Sequence, residues 1–251
     1  PQQDYEMKII RIDEVDSTNS YLAREAHTLD APVMVIADSQ TAGRGQRGNS
    51  WESEAGQNLT FSVLYRPSGF RAIEQFSISE ATALAVVDFL ALHGIETKVK
   101  WPNDIYAGDR KICGILIQHS LTGSEISHSI LGVGININQT EFVSDAPNPV
   151  SARQITGETY DLDTMTGEIA GCIEKRLGMI YGADAKRGLH DEFMRKLWRG
   201  DGAYHPFRDT ASGEDFRAAI DGIDPEGVLT LRLEDGSRRG YLFKEVAFIN
   251  A

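Results

Sequence analysis

Four short segments of this chain hold residue types that can do chemistry at useful spacing. Gly43-Arg44-Gly45-Gln46-Arg47-Gly48 is a glycine loop with two arginines. Glycines let backbone N–H groups close on an anion, and Arg44 and Arg47 can add charge-assisted hydrogen bonds, so the loop can bind phosphate. It spells G-x-G-x-x-G, yet neither standard nucleotide reading holds. A dinucleotide fingerprint opens a helix inside the motif, whereas Asn49-Ser50-Trp51 leads here to a strand. A P-loop puts lysine after its last glycine, and Asn49 stands there. Taken alone, the loop divides evenly between an anion site and a plain flexible surface loop. The second segment is Lys100-Trp101-Pro102-Asn103-Asp104, with Lys111 seven residues after Asp104. Following the turn Ala107-Gly108-Asp109, Lys111 would ordinarily be a solvated surface lysine. The third is Gly132-Val133-Gly134-Ile135-Asn136-Ile137-Asn138, where Asn136 reads equally as a ligand contact or a bulge or turn position. The fourth, Asp16-Ser17-Thr18-Asn19, reads from its residues alone as a helix N-cap.

The elements that must position these residues follow from hydrophobic period. A short strand spans 8–12, and a helix runs from the cap to about His27. The continuous apolar run Val33-Met34-Val35-Ile36-Ala37 predicts a buried strand. Residues 39–57 predict a long loop, and Leu59 to Tyr65 the next strand. A helix from about Ile73 to His93 carries Phe76, Leu84, Val87 and Leu90 on one face and stops at Gly94. Ile112 to Gln118 and Ser129 to Asn138 predict a hairpin, with His119 and His128 facing each other across it, which alone marks no site. A second long helix shows Met165, Ile169, Ile173, Leu177 and Ile180. Strands and helices do not alternate regularly, so the expected class is α+β. After a boundary near Arg199 to Gly202 the chain turns all-β: Phe216 to Ile220, then Leu229, Leu231 and Leu233 in period two, the hairpin signal Asp235-Gly236, and a strand from Tyr241 to Ile249.

Composition narrows the function. Asp and Glu number 37 against 25 Lys and Arg, a net charge of -12, which argues against nucleic-acid binding. No run of about 18 apolar residues is present, so no membrane span is expected, and residues 4–13 are too charged for a signal peptide. Two cysteines far apart suit a reducing cytoplasm. Cys113 on a strand and Cys172 on the apolar face of a helix read as core residues. The six histidines show no metal spacing.

Together, in order and spacing, the four segments resemble the signature regions of the biotin protein ligases, and the resemblance runs over residues 9–250. It implies a class II synthetase-like catalytic domain (1–200) and a small SH3-like β-barrel domain (201–251). It also implies an ATP-dependent ligase that makes biotinyl-5′-AMP, with Mg²⁺ assisting, and transfers biotin to a lysine of a biotin carboxyl carrier protein. In such a protein Ser17, Thr18 and Asn19 would meet the ureido ring of biotin and Gln40 would line the same pocket. Gly43, Arg44, Gly45 and Gln46 would belong to the phosphate loop, and Trp51 would stack on adenine. Asn103 and Asn136 would flank the adenylate, with Gly114 and Ile115 on the binding strand. Lys111 would bond the biotin carboxylate and the α-phosphate; Lys111, Asp104 and Arg44 would be the catalytic set. No resident metal site is expected. Gln46 and Asn49 replace arginines common in relatives, and Lys244-Glu245-Val246 stands where Gly-Glu-Val is common. Gln46 would serve as a contact closing the loop. With so few residues before Ser17, the single-function type without an N-terminal DNA-binding domain is expected. Oligomeric state, a homodimer included, is not legible. The alternatives are a lipoate–protein ligase and a non-enzymatic biotin-binding regulator.

Overall fold

Strand β2 (Val33–Gln40), from Val33 to Ala37, and strand β3 (Leu59–Tyr65), from Leu59 to Leu64, are buried without alternation because both faces of their sheet are covered. Val33 and Val35 pack with Leu64 and with Leu22 of helix α1 (Thr18–Glu25) on one face. Met34, Ile36, Phe61 and Val63 point to the main core on the other. The remaining elements are β1 (Lys8–Val15), α2 (Phe76–Leu92), β4 (Lys98–Lys100), β5 (Asp104–Ala107), β6 (Arg110–Thr122) and β7 (Glu125–Ile135). Helices α3 (Ala152–Thr156), α4 (Leu162–Leu177) and α5 (Ala183–Arg195) follow. The chain ends in β8 (His205–Asp209), β9 (Asp215–Ile223), β10 (Leu229–Leu233), β11 (Arg238–Tyr241) and β12 (Val246–Phe248). This structure, a computed structural model, describes residues 7–45, 49–143 and 148–249.

The first sheet has the order β1-β2-β3-β7-β6-β5-β4. Only β1 and β2 run parallel; every other described pair is antiparallel, so the sheet is mixed. The second sheet is antiparallel throughout, β11-β10-β9-β8-β12. The α+β class is met, with helices flanking the mixed sheet and a small SH3-like β module after it. Helix α2 is buried almost all round because it lies between the sheet and helices α4 and α5. The stretch Ala72–Leu92 would pass for a membrane span by length and composition, but 67% of it is buried in the fold, as in a core helix.

The three helices are tied by one arginine. Arg176 of α4 donates to Asp88 of α2 at 2.6 and 2.7 Å and to Glu192 of α5 at 2.6 and 2.7 Å. The β module is fastened to the first sheet by aromatic contacts: Trp101 meets Phe243 with ring centroids 6.4 Å apart, and Trp198 meets Phe248 at 5.8 Å. The Trp101 indole also donates to the Gly227 carbonyl, at 3.1 Å.

Several expectations need correction. Helix α1 ends at Glu25, and Ser17, although extended at the N-cap, makes no side-chain cap bond. Gln40 takes that part, its Oε1 accepting from Thr18 N at 2.8 Å, while Asp16 accepts from Ser17 N at 2.8 Å and pairs with Arg24. The stretch 241–249 is not one strand: the chain reverses at 242–245, leaving β11 and β12 on opposite edges of the sheet. His119 lies opposite Ser129, and His128 opposite Ser120, so the two imidazoles are offset.

Candidate active site

A cleft of about 910 Å³ opens over the middle of the first sheet. Its floor is made by glycines because the floor must be flat. Gly114 and Gly134 pair directly across β6 and β7. A Cβ at Gly134 would overlap the indole of Trp51, and one at Gly114 would come within 2.9 Å of it. The ring therefore lies on bare backbone. Two bonds of the glycine-loop stem hold the indole there: Trp51 N to Gly43 O at 3.0 Å and Gly45 N to Asn49 O at 2.7 Å.

One end of the cleft is neutral and polar. Thr18 N donates to Gln40 Oε1 at 2.8 Å, which fixes the start of α1 to the end of β2. The Thr18 hydroxyl meets Ser62 Oγ at 2.7 Å, and Ser62 donates onward to Asn19 Oδ1 at 2.5 Å. Both N–H groups of Asn19 are used as well, toward Leu116 O at 3.1 Å and Gln118 Oε1 at 3.2 Å. Gly132 lies beneath, where a Cβ would overlap the Asn19 amide. Asn19 is thus held on every side. Among the described residues, by contrast, neither the Ser17 hydroxyl nor the Gln40 NH₂ group has a hydrogen-bond partner.

The other end is charged. Lys111 Nζ lies 2.7 Å from Asp104 Oδ1, both side chains about a quarter exposed. The bulge in the β5–β6 ladder between Ile105 and Tyr106 and the tight hairpin at Gly108 (φ 57°) bring these two together. Asn103 is fixed by its side chain donating to Ile115 O and its carbonyl accepting from Ile115 N. Asn136, just past β7, donates to Val150 O at 3.1 Å, and its carbonyl accepts from Ala152 N at 3.0 Å. The capping box of Ser151 and Gln154 holds that partner segment in place. Two buried polar atoms of the cleft lack partners among the described residues: Asn136 Oδ1 and Trp51 Nε1.

The electrostatics run against the whole chain. The protein carries -12, yet its cleft is lined by Arg44, Lys100, Lys111 and Lys244 against Glu52 and Asp104 among the described residues. Lys100 sits among the rings of Tyr106, Trp198 and Phe248, and burial pushes its ammonium below the usual lysine range. The site can hold a polyanion at one end and a polar, uncharged ring at the other. No group of three or more His, Cys, Asp or Glu side chains stands ready for a metal among the described residues.

The cleft brings together Ser17, Thr18, Asn19, Gln40, Arg44, Gly45, Trp51, Asn103, Asp104, Lys111, Gly114, Ile115 and Asn136. Gly43 stands just behind, bonded to Trp51. Gln46 and Arg47 lie outside the described residues. Sequence reasoning missed Ser62, an inward hydroxyl on an apolar strand, and Phe142. It also missed the wall supplied by the β module, Thr210, Phe243, Lys244 and Phe248. Ser62 had a faint signal in being, with Thr60, a polar residue within an otherwise apolar buried run. The wall had none, since only the tertiary fold brings it there.

A glycine-floored mixed sheet holding a lysine–carboxylate pair, closed by a small β module, defines a small-molecule-binding α+β domain. The model of the biotin/lipoate A/B protein ligase family matches residues 12–136. The bifunctional ligase/repressor BirA of Bacillus spizizenii is 32% identical over 238 residues, which are 91% of this chain and 70% of that protein. The biotin–[acetyl-CoA-carboxylase] ligase of Paracoccus denitrificans is 28% identical over 228 residues, 86% of this chain and 91% of the relative. In fold, the chain matches the biotin protein ligase of Aquifex aeolicus in complex with biotin and ATP, with a TM-score of 0.78 at 23% identity, covering 97% and 99% of the two chains. The chain belongs to the biotin/lipoate A/B protein ligase family, as a biotin protein ligase.

Proposed function

We propose that this chain joins biotin to ATP and then passes biotin to one lysine of a biotin carboxyl carrier protein. In the first step a carboxylate oxygen attacks the α-phosphorus and pyrophosphate leaves, giving biotinyl-5′-AMP. In the second the lysine amine attacks the acyl carbon, AMP leaves, and the amine's proton goes to solvent. The observation that carries this reading is the two-ended cleft, neutral and hydrogen-bonding at Ser17, Thr18 and Gln40, cationic at Lys111 and Arg44. Negative charge gathers where carboxylate meets triphosphate, and Lys111 is fixed there before the reaction begins. Asp104 already accepts from Lys111, so its role is to aim that ammonium. Asp104 or Glu52 would supply the protein oxygen for a magnesium ion, which would offset charge on the triphosphate. In this reading the protein works in the cytoplasm, as one chain or a homodimer, and has no nucleic-acid partner, which the balance of 37 acidic against 25 basic residues supports.

The polar end also decides between biotin and lipoate. A ureido ring offers a carbonyl and two N–H groups to the Ser17 hydroxyl and the Gln40 amide, which Thr18 holds in place; a dithiolane ring offers none and would leave the Ser17 hydroxyl and the Gln40 NH₂ group unmatched. Biotin-dependent exchange of labelled pyrophosphate into ATP is expected to exceed lipoate-dependent exchange by at least about 10²-fold. Equal exchange with lipoate would favour a lipoate ligase, and none with either acid would leave a non-enzymatic biotin binder.

Gly134→Ala tests the floor. The added methyl must lift the Trp51 indole, so the KM for ATP is expected to rise about tenfold or more while the KM for biotin changes little. Tryptophan emission should shift in the same variant and not when Trp51→Phe is already present. An unchanged KM for ATP removes Trp51 from the nucleotide site.

A further inference from the structure

Lys244 is held in an unusual conformation at the edge of the cleft. Its φ is 71°, in the left-handed region where an L side chain is strained and glycine is at ease. The turn around it is enforced from both sides. The Thr210 hydroxyl donates to the Lys244 carbonyl at 2.6 Å, Thr210 N donates to Glu245 O at 3.0 Å, and Glu245 Oε2 accepts from Leu242 N at 2.7 Å. Nothing in that set uses the lysine side chain, so glycine would make the same turn at lower cost.

The side chain has work elsewhere. Lys244 lines the same cleft as Lys111 and Asp104, brought there because Phe243 packs on Trp101. It forms no ion pair with a described residue, and its ammonium is 5.7 Å from the Phe243 ring. Of the other cleft cations, Lys111 is committed to Asp104, Lys100 donates to Tyr106 at 2.9 Å inside its ring of aromatics, and Arg44, on the glycine loop, reaches the Ser20 hydroxyl at 3.4 Å. Strained backbone that the surroundings enforce is kept where the side chain earns it by function. We propose that Lys244 is the β module's contact to ATP, a cation that binds the terminal phosphates and the departing pyrophosphate. This rests on the ligase reading above.

Three substitutions separate charge from backbone. Lys244→Met keeps the strain and removes the charge; Lys244→Arg keeps both; Lys244→Gly removes both. In biotin-dependent pyrophosphate exchange, the methionine and glycine variants are expected to raise the KM for ATP and the inhibition constant for pyrophosphate about five- to twentyfold, as fits loss of one partly screened charge-assisted contact. The KM for biotin should stay within twofold, and Lys244→Arg should behave as wild type. Lys244→Gly should at the same time melt about 2–4 °C higher than wild type. A lysine kept for structure would give the opposite pairing, lower melting with normal nucleotide constants. Unchanged constants for ATP and pyrophosphate in Lys244→Met overturn the proposal, as does a rise confined to the KM for the carrier. Absence of exchange in the wild-type protein overturns the ligase reading instead.

Discussion

Lys111→Ala is expected to slow biotin-dependent pyrophosphate exchange by on the order of 10²–10³-fold, the scale for deleting one preorganised charge that faces a developing anion. The structure gives the reason. Lys111 is rigidly placed on β6, its ammonium 2.7 Å from Asp104 and 5.8 Å from the Trp51 ring centre, between the groups proposed for carboxylate and nucleotide. Removing it deletes the cation and also leaves Asp104 as an unopposed anion where a polyanion must bind. The double variant Lys111→Ala with Asp104→Asn separates the two effects. Part of the loss should return if repulsion from Asp104 contributes, and the remainder measures the missing cation. Exchange within threefold of wild type in Lys111→Ala would take Lys111 out of the mechanism.

The largest effect on stability should come from Arg176. Its side chain is only 7% exposed and bridges Asp88 and Glu192, so Arg176→Ala strands two carboxylates beside each other between α2, α4 and α5. Breaking such a network by removing one partner costs about 3–5 kcal/mol when fully buried; with both carboxylates 29% exposed, about 3 kcal/mol is expected, or roughly 6–12 °C in Tm. The pH dependence carries the sign. The Arg176 guanidinium holds the Glu192 carboxyl below its usual range. The network's contribution is therefore fully present above the ordinary glutamate pKa of about 4.3 and is lost as pH falls through the lowered folded value. The gap between wild type and Arg176→Ala should narrow in acid. Urea titrations at neutral pH and near pH 3.5 measure both quantities, and a gap that stays the same in acid would assign the cost to lost packing instead.

How much of this was legible depends on how local the cause is. The strands Leu59–Tyr65 and Leu229–Leu233 were readable to the residue, because burial on two faces and on one face writes different periods. Helix α5 was not, since only Leu189 and Phe193 are buried on it and two residues make no stripe. Strands β4 and β5 are three and four residues long, too short to carry a period. The reversal at 242–245 went unseen because its left-handed residue is Lys244, with no glycine to flag it. At the site, the motif residues could be collected from the sequence. Which of them face a ligand and which only brace others could not: Asn19 reads as a binding group and is fully engaged by Ser62, Leu116 and Gln118.

The edge strand β12 has a bearing on how the protein comes into being. Val246 and Phe248 line the cleft, and β12 pairs with β8 rather than with its neighbour β11. During synthesis, the lysine–carboxylate pair and glycine floor can form well before that last wall is translated. A ribosome-bound chain would therefore hold an open, incomplete cleft until residue 248 has emerged.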